Sequence, residues 1–419
     1  MINGIIRGAT HMRKCKFTAI NSYAQYQKKK MRQTSYKIMG VIAMLIVGAF
    51  LITGRFKEDL EEVLLLLHLK VPTIEQDVYL KAPTIDYLEY STPEVARGIY
   101  IPTNKLKNYE DYIRLAKETD VNSFVIDVKD DMGYLTFASD NIALKEAGMI
   151  LARPPIADID EVMSKLYEAG IYPIARVVAF KDNVLAVHQP ARAVKNLDGS
   201  IYITSSNDTW LDPYNKENWK YLLEVSKEAA RKGFKEIQFD YVRFHESMNG
   251  KRVILDENKS KMEIITEFTK YICDHLQKEG IKVSADVFGS VVLSDIDAEI
   301  VGQDFKEMSK YLDYICPMIY PSHYAKGTFG IEYPHINVYE MIYRTMKLGK
   351  SKLDNDEVQI KAVIRPWLQD FTIKNIEPYW EYGPEEIKKQ IEGAYAAGVE
   401  EWLFWNAAGR YTEEGLKAK

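Results

Sequence analysis

KENWKYLLEVSKEAARKGFKEIQFDYVR, residues 216–243, is a complete helix–turn–strand unit. A helical pattern runs over Lys216–Lys232, Gly233 closes it, and the aromatic and β-branched run Glu236–Tyr241 reads as a strand. Period-two alternation sets Gln238 and Asp240 on one face of that strand and Phe239 on the other. The strand therefore ends in a carboxylate.

The same alternation recurs from Ala96 onward. Strands are expected at Ala96–Ile101, Ser123–Val128, Tyr172–Val178, Glu236–Tyr241, Lys282–Val287, Tyr314–Ile319, Gln359–Ile364 and Glu401–Trp405. The helices expected between them are Tyr109–Thr119, Ile159–Ala169, Lys216–Lys232, Lys259–Lys278, Gln303–Tyr311, Val338–Leu348 and Pro384–Ala397. Eight parallel strands separated by helices predict an α/β fold, a TIM (β/α)8 barrel over residues 96–419. No GxGxxG follows the first strand, which argues against a dinucleotide-binding sheet.

In such a barrel the chemistry sits at the C-terminal ends of the strands. Those ends carry Asp127, Lys129, Asp130 and Asp131 (second strand), Arg176 (third), Asp240 and Arg243 (fourth) and Asp286 (fifth). The sixth reaches Tyr320 and His323, the seventh Arg365, Trp367 and Asp370, and the eighth Trp405 and Asn406. Sugars offer C–H faces that stack on aromatic rings and hydroxyls that need carboxylate, Asn or Arg partners, so this rim suits carbohydrate. A phosphate-binding barrel would carry glycine-rich loops after its last two strands, where only Gly409 is found.

Ser284 and Asp286 share a face as Gln238 and Asp240 do, so two carboxylates project from adjacent strand ends toward the barrel axis. Hydrolysis of a glycosidic bond uses such a pair, one protonated and one ionised, about 5–5.5 Å apart for retention and about 6.5–9.5 Å for inversion. We take Asp240 and Asp286 as the catalytic candidates. Asp127, Lys129, Arg176, Asp212, Arg243, Tyr320, His323, Arg365, Trp367, Trp405 and Asn406 are the substrate-binding candidates. The competing structural roles are helix capping for the strand-end acids and for Asp212, an ion-pair network for Asp127, Lys129 and Asp130, and core packing for the tryptophans.

Four motifs in order resemble a known family: Trp210-Leu211-Asp212-Pro213-Tyr214, Phe239-Asp240-Tyr241-Val242-Arg243-Phe244, Ala285-Asp286-Val287-Phe288-Gly289 and Pro317-Met318-Ile319-Tyr320-Pro321-Ser322-His323-Tyr324. Together they resemble the bacterial "putative glycosyl hydrolase domain" family, across about Ala96 to Tyr411. The resemblance implies a TIM barrel that cleaves carbohydrate. The arrangement is also similar to alpha-amylase-type glycosidases, which would make Asp240 the nucleophile and Asp286 the acid/base, although those enzymes usually place Glu in the second role. In another barrel clan the second carboxylate ends strand seven, where this chain offers only Asp370.

The rest of the chain speaks to location. Residues 1–37 hold nine Lys/Arg and no acid, so the overall charge of −5 leaves −14 on residues 38–419. Ile38–Gly54 (IMGVIAMLIVGAFLITG) has one polar member, Thr53, and follows Lys28, Lys29, Lys30, Arg32 and Lys37. We expect a basic cytoplasmic tail (1–37), one transmembrane signal anchor (38–54), a juxtamembrane helix or linker (55–95) and the barrel outside the cell membrane. A cleavable signal peptide starting at Met31 is the competing reading, but no clean small-x-small site follows the apolar run.

Cys15, Cys273 and Cys316 read as isolated thiols, a Cys273–Cys316 disulfide being unneeded in so large a barrel. CxxC and HExxH are absent and the seven histidines are scattered, so no metal or other cofactor is expected. The expected activity is exported hydrolysis of a cell-envelope or extracellular polysaccharide. A sugar-binding scaffold without catalysis and a transglycosylase are the alternatives, and nucleic acid is not an expected partner.

Overall fold

Phe239, the residue before the strand-end carboxylate, shows how the sequence builds the barrel wall. Its ring turns outward and meets Phe268 edge-on at 5.7 Å, while Phe268 also contacts Phe180 at 4.9 Å and Trp219 at 5.7 Å. Phe268 belongs to a helix that begins in a capping box made by Ser260 and Glu263, and its buried residues Ile264, Ile265, Phe268, Ile272 and Leu276 recur at helical spacing. Truncating Phe268 to Ala would remove a fully buried ring, a loss of about 3–5 kcal/mol.

The computed structural model describes residues 93–256, 258–354 and 360–417. The expected tail 1–37, the span Ile38–Gly54 and all but the last three residues of the 55–95 stretch lie outside them. Among the described residues no helix is long and apolar enough to cross a membrane.

The strands are β1 (Arg97–Ile101), β2 (Ser123–Lys129), β3 (Tyr172–Val178), β4 (Glu236–Asp240), β5 (Lys282–Phe288), β6 (Tyr314–Met318), β7 (Val363–Ile364), β8 (Trp367–Gln369) and β9 (Trp402–Trp405). Every pairing is parallel, and the order β5-β4-β3-β2-β1-β9-β8-β6-β7 closes through a β5–β6 pairing. Since β7 and β8 form one interrupted stave, eight staves make a closed barrel. The principal helices are α1 (Tyr109–Glu118), α2 (Ile159–Glu168), α3 (Lys216–Arg231), α4 (Lys261–Leu276), α5 (Val338–Leu353) and α6 (Pro384–Ala396). Gly393 lets α6 approach α5 closely, because a Cβ there would stand 2.6 Å from the Tyr339 carbonyl oxygen.

The expected seventh strand, Gln359–Ile364, is misplaced: ladder pairing occupies only Val363–Ile364 and then resumes at Trp367–Gln369. Pro366 has no N–H to give, so the ladder breaks around it, yet Arg365 N–H reaches Ile315 O and Pro366 O accepts from Leu403 N–H, both at 2.9 Å. The stave thus runs farther than the sequence pattern suggested, which lowers Arg365 into the barrel and carries Trp367 toward its mouth. The helix expected at Gln303–Tyr311 is likewise shorter, Phe305–Ser309, because Asp304 caps it by accepting from Lys306 N–H and Glu307 N–H.

Two apolar clusters lie on either side of the wall, the larger between strands and helices, the smaller inside the barrel around Tyr100, Val125, Ile174, Cys316, Trp367 and Leu403. Cys273 belongs to the outer cluster and Cys316 to the inner, and both are free thiols.

Candidate active site

At the mouth of the barrel Arg176 organises the strand ends. Its Nε and Nη2 both donate to Asp240 Oδ2, at 3.0 and 2.6 Å, and Nη1 donates to Asp127 Oδ1 at 2.7 Å. Asp127 Oδ2 in turn accepts from Tyr100 Oη at 2.6 Å and Thr103 Oγ1 at 3.2 Å. Asp131, half-exposed, meets Arg176 Nη2 at 3.3 Å. Arg176 is itself buried, and a planar guanidinium of fixed charge can hold several carboxylates at once. It is therefore a clamp.

Asp240 owes its other contact to the backbone. Tyr241 has φ +51°, the left-handed region that non-glycine residues enter at a cost of about 1–3 kcal/mol, and there its N–H donates to Asp240 Oδ1 at 2.6 Å. The turn is held by rings: Trp210 meets Tyr241 edge-on at 5.8 Å, and Lys181 lies 4.9 Å above the Tyr241 ring.

Asp286 has different surroundings. It is 2% exposed, and the one side-chain hydrogen bond to its carboxyl among the described residues comes from the Trp367 indole N–H to Oδ1 at 2.7 Å. Burial pushes its carboxyl well above the usual carboxylate range, Asp240 and Glu236 add to the rise, and the indole and Arg176 oppose it. Gln303 fixes this strand end from behind, accepting from Phe288 N–H at 2.9 Å and donating to the Asp286 carbonyl oxygen at 3.0 Å and to that of Val242 at 3.4 Å. Gly289, just beyond β5, leaves room for Tyr324 Oη and the Met318 carbonyl that a Cβ would strike.

Aromatic residues line the same opening. Trp405, part-buried, stacks on Tyr100 at 4.2 Å and 20°, stands edge-on to Trp367 at 5.7 Å and lies 5.6 Å from the Arg176 guanidinium carbon. Tyr320 meets His323 at 5.4 Å and Phe371 at 5.6 Å, with His323 at the surface. Thus Asp127, Arg176, Asp240, Asp286, Tyr320, Trp367 and Trp405 converge, with His323 on the margin.

Four candidates do not join them, and a fifth, Arg243, stands beside them within electrostatic reach of Asp240. Lys129 is fully buried and turned outward, its Nζ on Asp182 Oδ2 at 2.9 Å and Val178 O at 2.7 Å, because β2 shifts register between Asp127 and Lys129 and breaks the period-two alternation. Arg365 lies at the barrel floor, bonded to Glu236 at 2.8 Å and Glu401 at 2.6 Å. Asp212 accepts from Tyr214 N–H at 3.0 Å in a loop turn, where burial pushes its carboxyl up to about 6. Arg243 folds over Phe288 at 4.2 Å and donates to Phe244 O, while Asn406 donates to Asp370 O and caps its own turn. Asp370, the strand-seven acid, spends both oxygens on Thr412, each at 2.8 Å.

Tyr100, Thr103, Gln303 and Asp131 also belong to the site without being among the candidates the sequence offers for it. Tyr100 carried a signal, an aromatic residue facing inward near the end of a strand. Gln303 carried none. Among the described residues no group of three or more His, Cys, Asp or Glu could hold a metal ion.

The family model described as "Putative glycosyl hydrolase domain" matches residues 98–411, three quarters of the chain and all but the two ends of the barrel. The chain belongs to this family. Its enzyme class, hydrolase of glycosyl bonds, is the one the four motifs led us to expect. Among curated proteins none matches the chain. Among solved structures, a hypothetical protein from Ruminiclostridium thermocellum is 39% identical over 45% of this chain and 97% of its own, with a TM-score of 0.41. The PgaB (BpsB) glycoside hydrolase domain from Bordetella bronchiseptica shares 12% identity over 78% of this chain and 99% of its own, with a TM-score of 0.57. The second likeness is one of fold.

Proposed function

We propose that this glycosyl hydrolase family member is an exported, membrane-anchored enzyme that cleaves a cell-envelope or extracellular polysaccharide, with Asp286 as proton donor and Asp240 as the ionised partner. The observation that carries the reading is the contrast between two neighbouring strand-end carboxyls, one clamped by a guanidinium and a backbone N–H, the other buried without an ion pair. Asp286 gives its proton to the glycosidic oxygen as the bond to the anomeric carbon breaks. Asp240, a carboxylate beside the anomeric carbon, attacks it or takes a proton from the attacking water.

Trp405 and Tyr100 supply a stacked aromatic wall for a sugar face, and Tyr320 and His323 extend it. The basic tail and Ile38–Gly54 would hold the barrel beside the wall, where a polymeric substrate is already present.

Reducing-end release from a panel of wall and capsule glycans by the full chain tests the reading. Turnover that disappears in Asp240→Asn supports it. Glycan binding without any release, unchanged by Asp286→Ala, would make the barrel a sugar-binding scaffold instead.

A further inference from the structure

From its place late in the seventh strand, Trp367 is a candidate either to line a sugar subsite or to pack in the core. Its indole is 1% exposed and edge-on to Trp405, so it has no face to offer. What it offers is an N–H, 2.7 Å from Asp286 Oδ1. An indole nitrogen only donates, so Oδ1 must accept whatever the charge on the carboxyl. Of the two oxygens of a neutral acid the carbonyl is the better acceptor, so the indole favours the acid proton on Oδ2, which no hydrogen bond reaches among the described residues.

We propose that Trp367 is a positioning residue: by occupying Oδ1 it favours the Asp286 proton on Oδ2, the oxygen left to face the scissile bond, and then stabilises the carboxylate that proton transfer leaves behind. The inference rests on Asp286 being the proton donor. As the anomeric carbon–oxygen bond breaks, its electron pair stays on the leaving oxygen, which takes the Oδ2 proton, and Asp286 becomes an anion. A hydrogen bond to a carboxylate is roughly twice as strong as one to a neutral acid, so the indole contributes more after transfer than before. That difference is what accelerates a step.

The ionisable groups around Asp286 are Asp240 and Glu236 of β4, Arg176 of β3, Cys316 of β6 and Tyr320 beyond it. Cys316 and Tyr320 are both pushed upward by burial. Asp240, Glu236 and Arg176 set the field in which the proton leaves, and Trp367 sets the oxygen.

The first test needs no substrate. In the full chain labelled with 15N-tryptophan, one of the six indole signals should move as Asp286 ionises, stop moving in Asp286→Asn and vanish in Trp367→Phe. A Trp367 signal unmoved by pH, or moving equally in Asp286→Asn, would overturn the proposal. If Trp367→Phe does not fold, the comparison of wild type with Asp286→Asn still decides.

The second test compares a dinitrophenyl with an unsubstituted phenyl glycoside of the sugar the wild type accepts. Loss of a directed proton should cost Trp367→Phe roughly 10²-fold on phenol, a poor leaving group, and only a few-fold on dinitrophenol, which leaves unaided. Equal losses on both would reduce Trp367 to a packing residue. A wild type without turnover would instead count against the hydrolase reading, with the indole titration still standing as the test of the contact.

Discussion

Two clusters of charge occupy the inside of this barrel, and they are built from the same parts. At the floor Arg365 bonds Glu236 and Glu401, with Ser284 donating to Glu236 at 2.6 Å and the Tyr314 ring 3.6 Å from the guanidinium carbon. At the mouth Arg176 bonds Asp127, Asp240 and Asp131. Both are arginine clamps on acids. They differ in access: Arg365 and Glu236 are sealed from solvent, whereas Asp131 is half-exposed and Asp240 stands beside an acid with no ion pair. Charge inside a barrel is thus no mark of chemistry in itself. A clamp becomes a candidate site where it reaches solvent and an acid left out of it stands alongside.

The contrast is broken most severely at the floor. Arg365→Met should lower stability by about 3–5 kcal/mol, read from the urea midpoint, because two buried glutamates lose their counter-charge. A loss under about 1 kcal/mol would mean that water already reaches the floor.

Asp286→Asn sharpens the contrast at the mouth. Its carboxyl titrates above the unfolded value, so between the ordinary carboxylate range and its own raised one the folded state binds more protons than the unfolded state. Stability contributed by the protonated acid is therefore present at low pH and lost as pH rises. The variant should gain on the wild type with increasing pH, at no more than about 1.4 kcal/mol per unit, and show no gain near pH 3. A pH-independent difference in melting temperature would contradict this.

Smaller effects belong to the rim. Trp405→Ala should raise KM about tenfold with little change in kcat, the signature of lost stacking before and during the reaction alike. Asp131→Asn should change stability by less than about 1 kcal/mol, since half of that side chain is already in water. A larger loss would make Asp131 a true member of the clamp.

The barrel was legible because alternation and helical spacing depend on local burial, which sequence records. Asp240 and Asp286 were brought to one mouth as alternation on β4 and β5 implied, their chemical roles remaining our proposal. Lys129 and Arg365 were misplaced for one reason: a register shift in β2 and an interrupted ladder at Pro366 each move a side chain without altering the apolar pattern. The Trp367 indole bond was invisible for another, since tryptophan in a strand looks the same whether its face or its edge is used. The expected anchor, Ile38–Gly54, lies outside the described residues.

The central claim is that Asp240 and Asp286 act as one unit. Turnover of a released glycan should be measured for the wild type, Asp240→Asn, Asp286→Asn and the double variant, all as full chains. Each single substitution should bring the rate down to nearly that of the double, because a pair that works together is lost together. A single variant that keeps wild-type turnover, or losses that simply multiply, would contradict the account.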